Sequence, residues 1–162
     1  MMAERHDFIL GEFQRTFDDR YRLAIPAELL PGLGGEGATC VLAKERPGCL
    51  SLWRSSDWQS RHDAGVQLVK AKMAAGKLEG QLRHVQQLGR LLSTRHREVQ
   101  LAGRGRLLVP EGFREFLRAQ PGSEVLVVGA AVCLEIWNPA AWIEYLDRRL
   151  PSFHRLFDRL SS

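Results

Sequence analysis

The chain has 162 residues, 44% of them hydrophobic and 26% charged, with a formal net charge of +4 and a pI near 9.3. That is enough chain for a globular body with its own core, which sets aside disorder as the default and any need for disulfide or metal staples. The positive balance leans towards polyanionic partners, although a charge of this size is not by itself a nucleic-acid signature.

The opening Met1-Met2-Ala3-Glu4-Arg5-His6-Asp7 is too polar for a signal peptide, and no apolar run approaches the length needed to span a bilayer. Export and membrane insertion are not expected, and the chain is read as cytoplasmic. Cys40, Cys49 and Cys133 have no metal-ligand spacing and sit in apolar runs, so they read as small reduced core residues.

A first unit is expected over residues 8–58. Strand material at Phe8-Ile9-Leu10 and from Phe13 to Phe17 leads into the turn Asp18-Asp19-Arg20. A short apolar strand, Leu23-Ala24-Ile25, follows, and Pro26 presets the backbone for a helix start. That helix, Ala27-Glu28-Leu29-Leu30, should be stopped by Pro31 and the glycine-rich residues 32–37. Two strand-like runs, Thr39 to Ala43 and Cys49 to Trp53, flank Arg46-Pro47-Gly48 and predict a hairpin. Ser55 or Ser56 is placed to cap a helix running through Asp57 and Trp58.

Residues 59–96 contain no proline and read as a helical linker. Leu78, Leu82, Val85, Leu88 and Leu92 recur at three- and four-residue steps among Arg83, Gln86, Gln87 and Arg90, the pattern of an amphipathic helix whose stripe should pack on the body. Gly76 and Gly80 favour two helical pieces over one.

A second unit, residues 97–145, repeats the plan. Val99 to Leu101 leads into Gly103-Arg104-Gly105-Arg106, Leu107 to Val109 forms the strand, and Pro110-Glu111 opens a helix with Phe113, Phe116 and Leu117 on one face, ended by Pro121-Gly122. Residues 124–128 and 132–137 should pair across Gly129-Ala130-Ala131, and Asn138-Pro139 is a good cap for the helix bearing Trp142. The tail, residues 146–162, alternates arginines with Leu150, Phe153, Leu156, Phe157 and Leu160 and is interrupted by Pro151; it should dock on the body or on a neighbour.

The two units superpose at a shift of 84 positions (106 less 22, and 110 less 26), which also carries Val41-Leu42 onto Val125-Leu126, Cys49 onto Cys133, Trp53 onto Trp137 and Trp58 onto Trp142, with no gap. A constant register that includes two tryptophans implies a duplicated structural unit and a mixed α/β body of two lobes about a pseudo-twofold axis.

Arg20 and Arg22 in one unit, and Arg104 and Arg106 in the other, sit on or beside the turns. Planar guanidinium donors suit phosphates and guanine edges, and Gly103 and Gly105 let backbone approach a ligand closely. A lone turn arginine is more simply a solvated one; recurrence at the same repeat position favours a binding role. Asp18 can orient Arg22 through an ion pair and accept backbone amides. Asp18 and Asp19 could also be read as a catalytic pair, but the second unit has Ala102 and Gly103 in their place and nothing supplies a nucleophile or metal partner. The five histidines are scattered, so no metal, cofactor, catalytic residue or small-molecule substrate is expected. The four tryptophans read as core, and Arg90, Arg95, His96 and Arg97 as a basic cluster that is either phosphate-facing or a solvated helix end.

Asp18-Asp19-Arg20-Tyr21-Arg22-Leu23-Ala24-Ile25-Pro26 after Gly11-Glu12-Phe13, with Gly48-Cys49-Leu50, Arg104 to Pro110, Glu135 to Pro139, Trp58 and Trp142, resembles the MraZ family over residues 8–145. The resemblance implies two tandem AbrB-like swapped-hairpin repeats in a barrel-like core with flanking helices. It implies a nucleoid-associated transcriptional regulator of division and cell-wall genes that binds direct repeats in double-stranded DNA as a ring-shaped homo-oligomer. The family's D-x-x-x-R signature falls on Asp18 and Arg22, and on Ala102 and Arg106, so the second copy lacks its aspartate; Tyr21 stands where the family usually has glycine. DNA would be held by Arg20, Arg22, Arg104 and Arg106, with Asp18, Gly103 and Gly105 shaping the turns. An oligomeric scaffold of the same fold with weakened DNA binding is the alternative, and an enzyme acting on a polyanion a more distant one.

Overall fold

The computed structural model describes residues 8–162, so the polar opening heptapeptide lies outside it. In chain order the elements are β1 (Ile9–Thr16), β2 (Arg22–Ala24), α1 (Leu30–Leu33), β3 (Thr39–Arg46), β4 (Cys49–Arg54), α2 (Ser55–Ala74), α3 (Leu82–Arg95), β5 (His96–Gln100), β6 (Arg106–Leu108), α4 (Phe113–Leu117), β7 (Glu124–Ala131), β8 (Leu134–Trp137), α5 (Pro139–Arg149) and α6 (Phe153–Ser161). Tight 3-10 turns occupy Gly103–Gly105 and Leu150–Ser152.

The fold is mixed α/β with antiparallel pairing. Six strands form an open sheet in the order β1-β7-β8-β4-β3-β5, and β2 with β6 makes a separate two-stranded ribbon. The core is therefore enclosed by an open sheet under a ribbon rather than by a hydrogen-bonded closed barrel. Each half lends its first strand to the other: β1 pairs with β7, and β5 pairs with β3. The halves are interlocked and share one core, not two lobes laid face to face.

Pairing registers correct the gapless alignment. Trp53 lies opposite Val41, but its counterpart Trp137 lies opposite Leu126, so β3 maps onto β7 with a shift of 85 (126 less 41) while β4 maps onto β8 with 84 (137 less 53). A β-bulge between Lys44 and Arg46 takes up one residue in the first hairpin. The second hairpin has no such break, so the slip cancels before Cys133 and leaves no trace in the sequence.

Strand alternation explains the core. Leu42, Leu50, Leu52, Val125, Val127, Leu134 and Ile136 project from the sheet to meet Leu23 and Leu107 from the ribbon, with Phe17, Ile25, Leu33, Phe113 and Leu117 closing the sides. On the sheet's other face Val41, Ala43, Trp53 and Trp58 form a smaller cluster. Trp58 and Trp142 each sit in the first turn of a helix against the strand tryptophan of its own half, with ring centroids 6.0 Å apart for Trp53–Trp58 and 5.1 Å for Trp137–Trp142. The expected core role thus holds for Trp58 and Trp137, which are buried; Trp53 and Trp142 are half-buried.

Helix ends differ from the expectations in instructive ways. Pro31 lies within the first turn of α1 and does not stop it, because a first-turn proline lacks only an amide that had no partner; Gly34, at φ 103°, is the true stop. Neither Ser55 nor Ser56 caps α2, whose N-cap is Arg54 without a side-chain bond. Arg118, at φ 59°, ends α4 before Pro121 is reached. Asn138 behaves as expected, its side chain accepting the amides of Ala140 at 3.0 Å and Ala141 at 3.4 Å.

The linker does break in two, with Gly76 at φ 71° and Gly80 at φ 78°. Its apolar stripe is only partly covered: α3 has no buried residue, Leu82 and Leu88 are exposed, and Leu78, Val85 and Leu92 are half-buried. The tail helix α6 likewise presents Phe153, Leu156, Phe157 and Leu160 to solvent. No described helix is long and apolar enough to cross a membrane.

Candidate nucleic-acid interface

The ribbon places the arginines. Arg22 lies opposite Leu108, Leu23 opposite Leu107, and Ala24 opposite Arg106. Leu23 and Leu107 are repeat counterparts (107 less 23 is 84), so the pseudo-twofold axis passes between them. Both point into the core, and strand alternation turns Arg22, Ala24, Arg106 and Leu108 to the other side. Arg22 and Arg106 are therefore diagonal neighbours across the ribbon, about 7–8 Å apart by the geometry of such positions. Arg20 and Arg104 sit, exposed, in the turns that lead into opposite ends of the ribbon.

The two turns share a backbone plan. Asp18 N donates to Arg22 O at 3.1 Å and Tyr21 N to Asp18 O at 3.2 Å; the counterparts, Ala102 N to Arg106 O and Gly105 N to Ala102 O, are 2.9 and 3.0 Å. Each turn is also tied to the opposite strand, Val109 N to Tyr21 O at 3.1 Å and Ile25 N to Gly105 O at 3.0 Å. Turn and ribbon are thus one hydrogen-bonded unit.

Tyr21 takes the glycine role. Its φ of 58° matches the 68° of Gly105, a left-handed conformation that costs a residue with a Cβ about 1–2 kcal/mol. The ring packs edge-on against Phe17, centroids 6.1 Å apart, and the Arg114 guanidinium lies 4.0 Å from its centroid. That packing compensates the strain and turns the ring towards the body rather than outward. Gly105 has no such room, since a Cβ there would stand 2.7 Å from Leu30 Cδ2. Gly103 is open and exposed.

Asp18 is the main electrostatic difference between the turns. Its Oδ1 accepts the amides of Arg20 at 2.8 Å and Arg22 at 2.9 Å, and its Oδ2 accepts Arg22 Nε at 2.8 Å. The Arg22 amide, above all, holds the carboxyl below its ordinary pKa, helped by the Arg22 side chain and the Arg20 amide. With its acceptors committed to Arg20 and Arg22, this aspartate orients an arginine. Ala102 offers Arg106 no carboxylate, and Arg104 itself adopts φ 63° in the second turn. Arg22 is held in one direction, whereas Arg106 has no ion-pair partner among the described residues.

The ribbon brings Arg22 and Arg106 onto one face and keeps Arg20 and Arg104 at its ends. Sequence reasoning missed Leu108, 56% exposed between them, and Arg114, which props the first turn. Leu108 carried the signal of its strand position, one step from the inward Leu107; Arg114 carried none. Of the basic cluster ahead of the second unit, Arg95 lies against the Trp58 ring and Arg97 against Phe113, centroid distances 5.5 and 5.8 Å. Arg95, which also pairs with Glu45, and Arg97 thus pack on aromatic rings on opposite faces of the sheet.

Residues 93–160 match the family model described as "MraZ protein, putative antitoxin-like". Relatives named "Transcriptional regulator MraZ" align over most of the chain. The one from Roseiflexus sp. is 32% identical over 138 residues, covering 85% of this chain and 86% of its own. That from Roseiflexus castenholzii is 31% identical with the same coverage. The Heliobacterium modesticaldum protein is 27% identical over 151 residues, covering 93% of this chain and 95% of its own. With a relative this similar along nearly its full length, and the duplicated arginine turns set on one ribbon, the chain belongs to the MraZ family.

Proposed function

We propose that this chain is a transcriptional regulator that binds double-stranded DNA with the outer face of the β2–β6 ribbon. The carrying observation is the diagonal placement of Arg22 and Arg106 on that face, related by the axis through Leu23 and Leu107. A B-form major groove admits a two-stranded ribbon, and arginine reads guanine edges or grips phosphates there. Asp18 binds Arg22 through Nε, which leaves the terminal nitrogens for an outside acceptor. Arg20 and Arg104 at the ribbon ends supply phosphate contacts that set orientation. The exchange of first strands between hairpins supports reading the halves as AbrB-like swapped-hairpin units.

One ribbon offers few contacts, so affinity rests on several ribbons engaging direct repeats at once, as a ring of subunits would present them. The exposed apolar stripes of α3 and α6 supply surfaces for that self-association. Family membership favours promoters of division and cell-wall genes as targets, in the cytoplasm and on the nucleoid. The same stripes also favour the second reading, an oligomeric scaffold whose DNA affinity is weak.

Fluorescence anisotropy against DNA upstream of the chain's own gene, over a salt series, separates the two. Selective binding over a scrambled duplex is expected, and an Arg22→Ala, Arg106→Ala double variant should lose affinity and flatten the logarithmic salt slope by about 2 for each ribbon engaged. Equal, weak binding of both duplexes by wild type and variant would leave the scaffold reading standing. Light scattering reads the ring directly; a monomer at micromolar concentration refutes the avidity mechanism.

A further inference from the structure

A cleft of about 370 Å³ opens on the side of the molecule away from the ribbon's turns, between the end of β3, the C-terminal end of α5 and one face of α6. Arg46 enters it from the first unit, and Arg149, Arg155 and Arg159 from the tail, with Tyr145 and Leu156 as apolar wall. No carboxylate is among the described residues that line it. Nearby Arg148 is taken by Glu144, its i,i+4 partner.

Four guanidiniums converge here on one concavity. Like charges within a Debye length repel one another, and a concave wall with apolar patches focuses their field, so an anion in the cleft relieves that repulsion. The arrangement is also built. The Arg46 guanidinium is held 5.0 Å from the Tyr145 ring centroid and 5.9 Å from that of Trp137. Tyr145 is itself packed on Trp137, centroids 5.0 Å apart, which fixes α5 to the sheet. Arg155 and Arg159 stand four positions apart, hence on one face of α6.

We infer that this cleft binds a nucleoside polyphosphate, its phosphate chain on the four guanidiniums and its base against Tyr145 and Leu156. The volume falls in the range of small-ligand sites, and planar guanidiniums bind phosphate oxygens in pairs. A single compact phosphate would leave most of the four cations unmatched, and a DNA backbone would have to enter a concave site. Because Arg46 belongs to the body and the other three arginines to the tail, the ligand ties the tail to the body and acts as an effector of the assembly rather than as a substrate.

Intrinsic fluorescence of the full chain, with Trp137 and Trp142 beside Tyr145, can be followed with ATP, tripolyphosphate and adenosine at matched ionic strength, and calorimetry repeats the titrations. ATP should saturate, tripolyphosphate should bind about tenfold more weakly, and adenosine should not saturate. An Arg155→Ala, Arg159→Ala variant should weaken ATP by at least about tenfold while keeping wild-type circular dichroism and DNA affinity within about twofold; an Arg46→Ala variant should also weaken ATP. Equal affinity for ATP and tripolyphosphate would overturn the nucleotide assignment. ATP that fails to saturate, or that binds undiminished in both variants, would overturn the site. A variant that loses DNA affinity together with ATP would make the cleft part of the DNA surface and overturn the effector role.

Discussion

Ser51 stands directly opposite Glu135 in the β4–β8 pair, and Glu135 is its own counterpart in the second half (135 less 51 is 84). The axis relating the halves passes between these two residues, as it passes between Leu23 and Leu107 in the ribbon. Each accepts the indole N–H of the tryptophan two positions on: Trp53 Nε1 donates to Ser51 Oγ at 2.9 Å, and Trp137 Nε1 to Glu135 Oε1 at 3.1 Å. The two halves share the acceptor position and differ in its chemistry. Ser51 Oγ then donates to Glu45 Oε2 at 2.9 Å, which places a second carboxylate beside the axis.

Burial, foremost, raises the Glu135 pKa; Glu45 adds to the rise, and the Trp137 N–H and Arg46 oppose it. A carboxyl whose folded pKa exceeds its unfolded one holds its proton longer in the native state, so its contribution to stability falls as pH rises from the unfolded pKa through the folded one. Glu135→Gln keeps an acceptor for Trp137 and removes the charge. The variant should match wild type near pH 4 and exceed it at pH 7 by up to about 1 kcal/mol, since the group is only partly buried. Thermal unfolding at the two pH values checks this; a variant less stable at pH 7 would show that the Arg46 attraction outweighs burial.

Asp18 predicts the opposite slope. Its carboxyl is held below the ordinary value, first by the Arg22 amide, so its stabilising effect is present above the unfolded pKa and fades as pH falls through the lowered folded one. Installing the missing acid by Ala102→Asp should give Arg106 an Nε partner, raise the urea midpoint at pH 7, and lose the gain by pH 2 to 3. An unchanged midpoint at pH 7 would mean that the left-handed Arg104 keeps the second turn from closing on an aspartate.

The left-handed sites separate strain from packing. Gly105→Ala places a Cβ at φ 68° and 2.7 Å from Leu30 Cδ2, inside the core, and should cost about 1–3 kcal/mol. Tyr21→Gly relieves the strain at φ 58° but strips the ring from Phe17 and Arg114, so its effect should be smaller, within about 1 kcal/mol of neutral. Denaturant midpoints rank the two; equal losses would place the value of the first turn in the Tyr21 ring.

Much of this architecture can be read from local chemistry. Pro47-Gly48 marks its hairpin, Asn138-Pro139 its helix start, and Gly76 with Gly80 the break in the linker, because each acts through its own backbone preferences. The ribbon arginines were readable because they recur beside strands of fixed inward leucines. Strand exchange was not: alternation says which face of β1 is apolar, and nothing about whether β3 or β7 pairs with it. The slip in β7 was hidden for a different reason, since the bulge near Glu45 offsets it before the next strand. The exposed stripes of α3 and α6 show the same limit, for periodicity identifies an apolar face and leaves its partner open.

The three cysteines offer a probe that depends on the interlocked core. All are free and buried. Burial pushes the Cys40 thiol up to about 11 and that of Cys133 up to about 12, and raises Cys49 as well. At pH 8 a thiol of pKa 11 is thiolate in only about one molecule in a thousand, and the thiolate is the nucleophile. Cys49 lies on β4 of the first half and Cys133 beside β8 of the second, but both strands belong to one sheet, so neither can be uncovered by opening a single half. Labelling by a thiol reagent at pH 8 should therefore be slow for all three, proceed with one common rate set by opening of the whole body, and become complete in denaturant. Faster labelling of Cys133 alone would mean that the β7–β8 hairpin opens independently, and that strand exchange does not bind the halves into one cooperative unit.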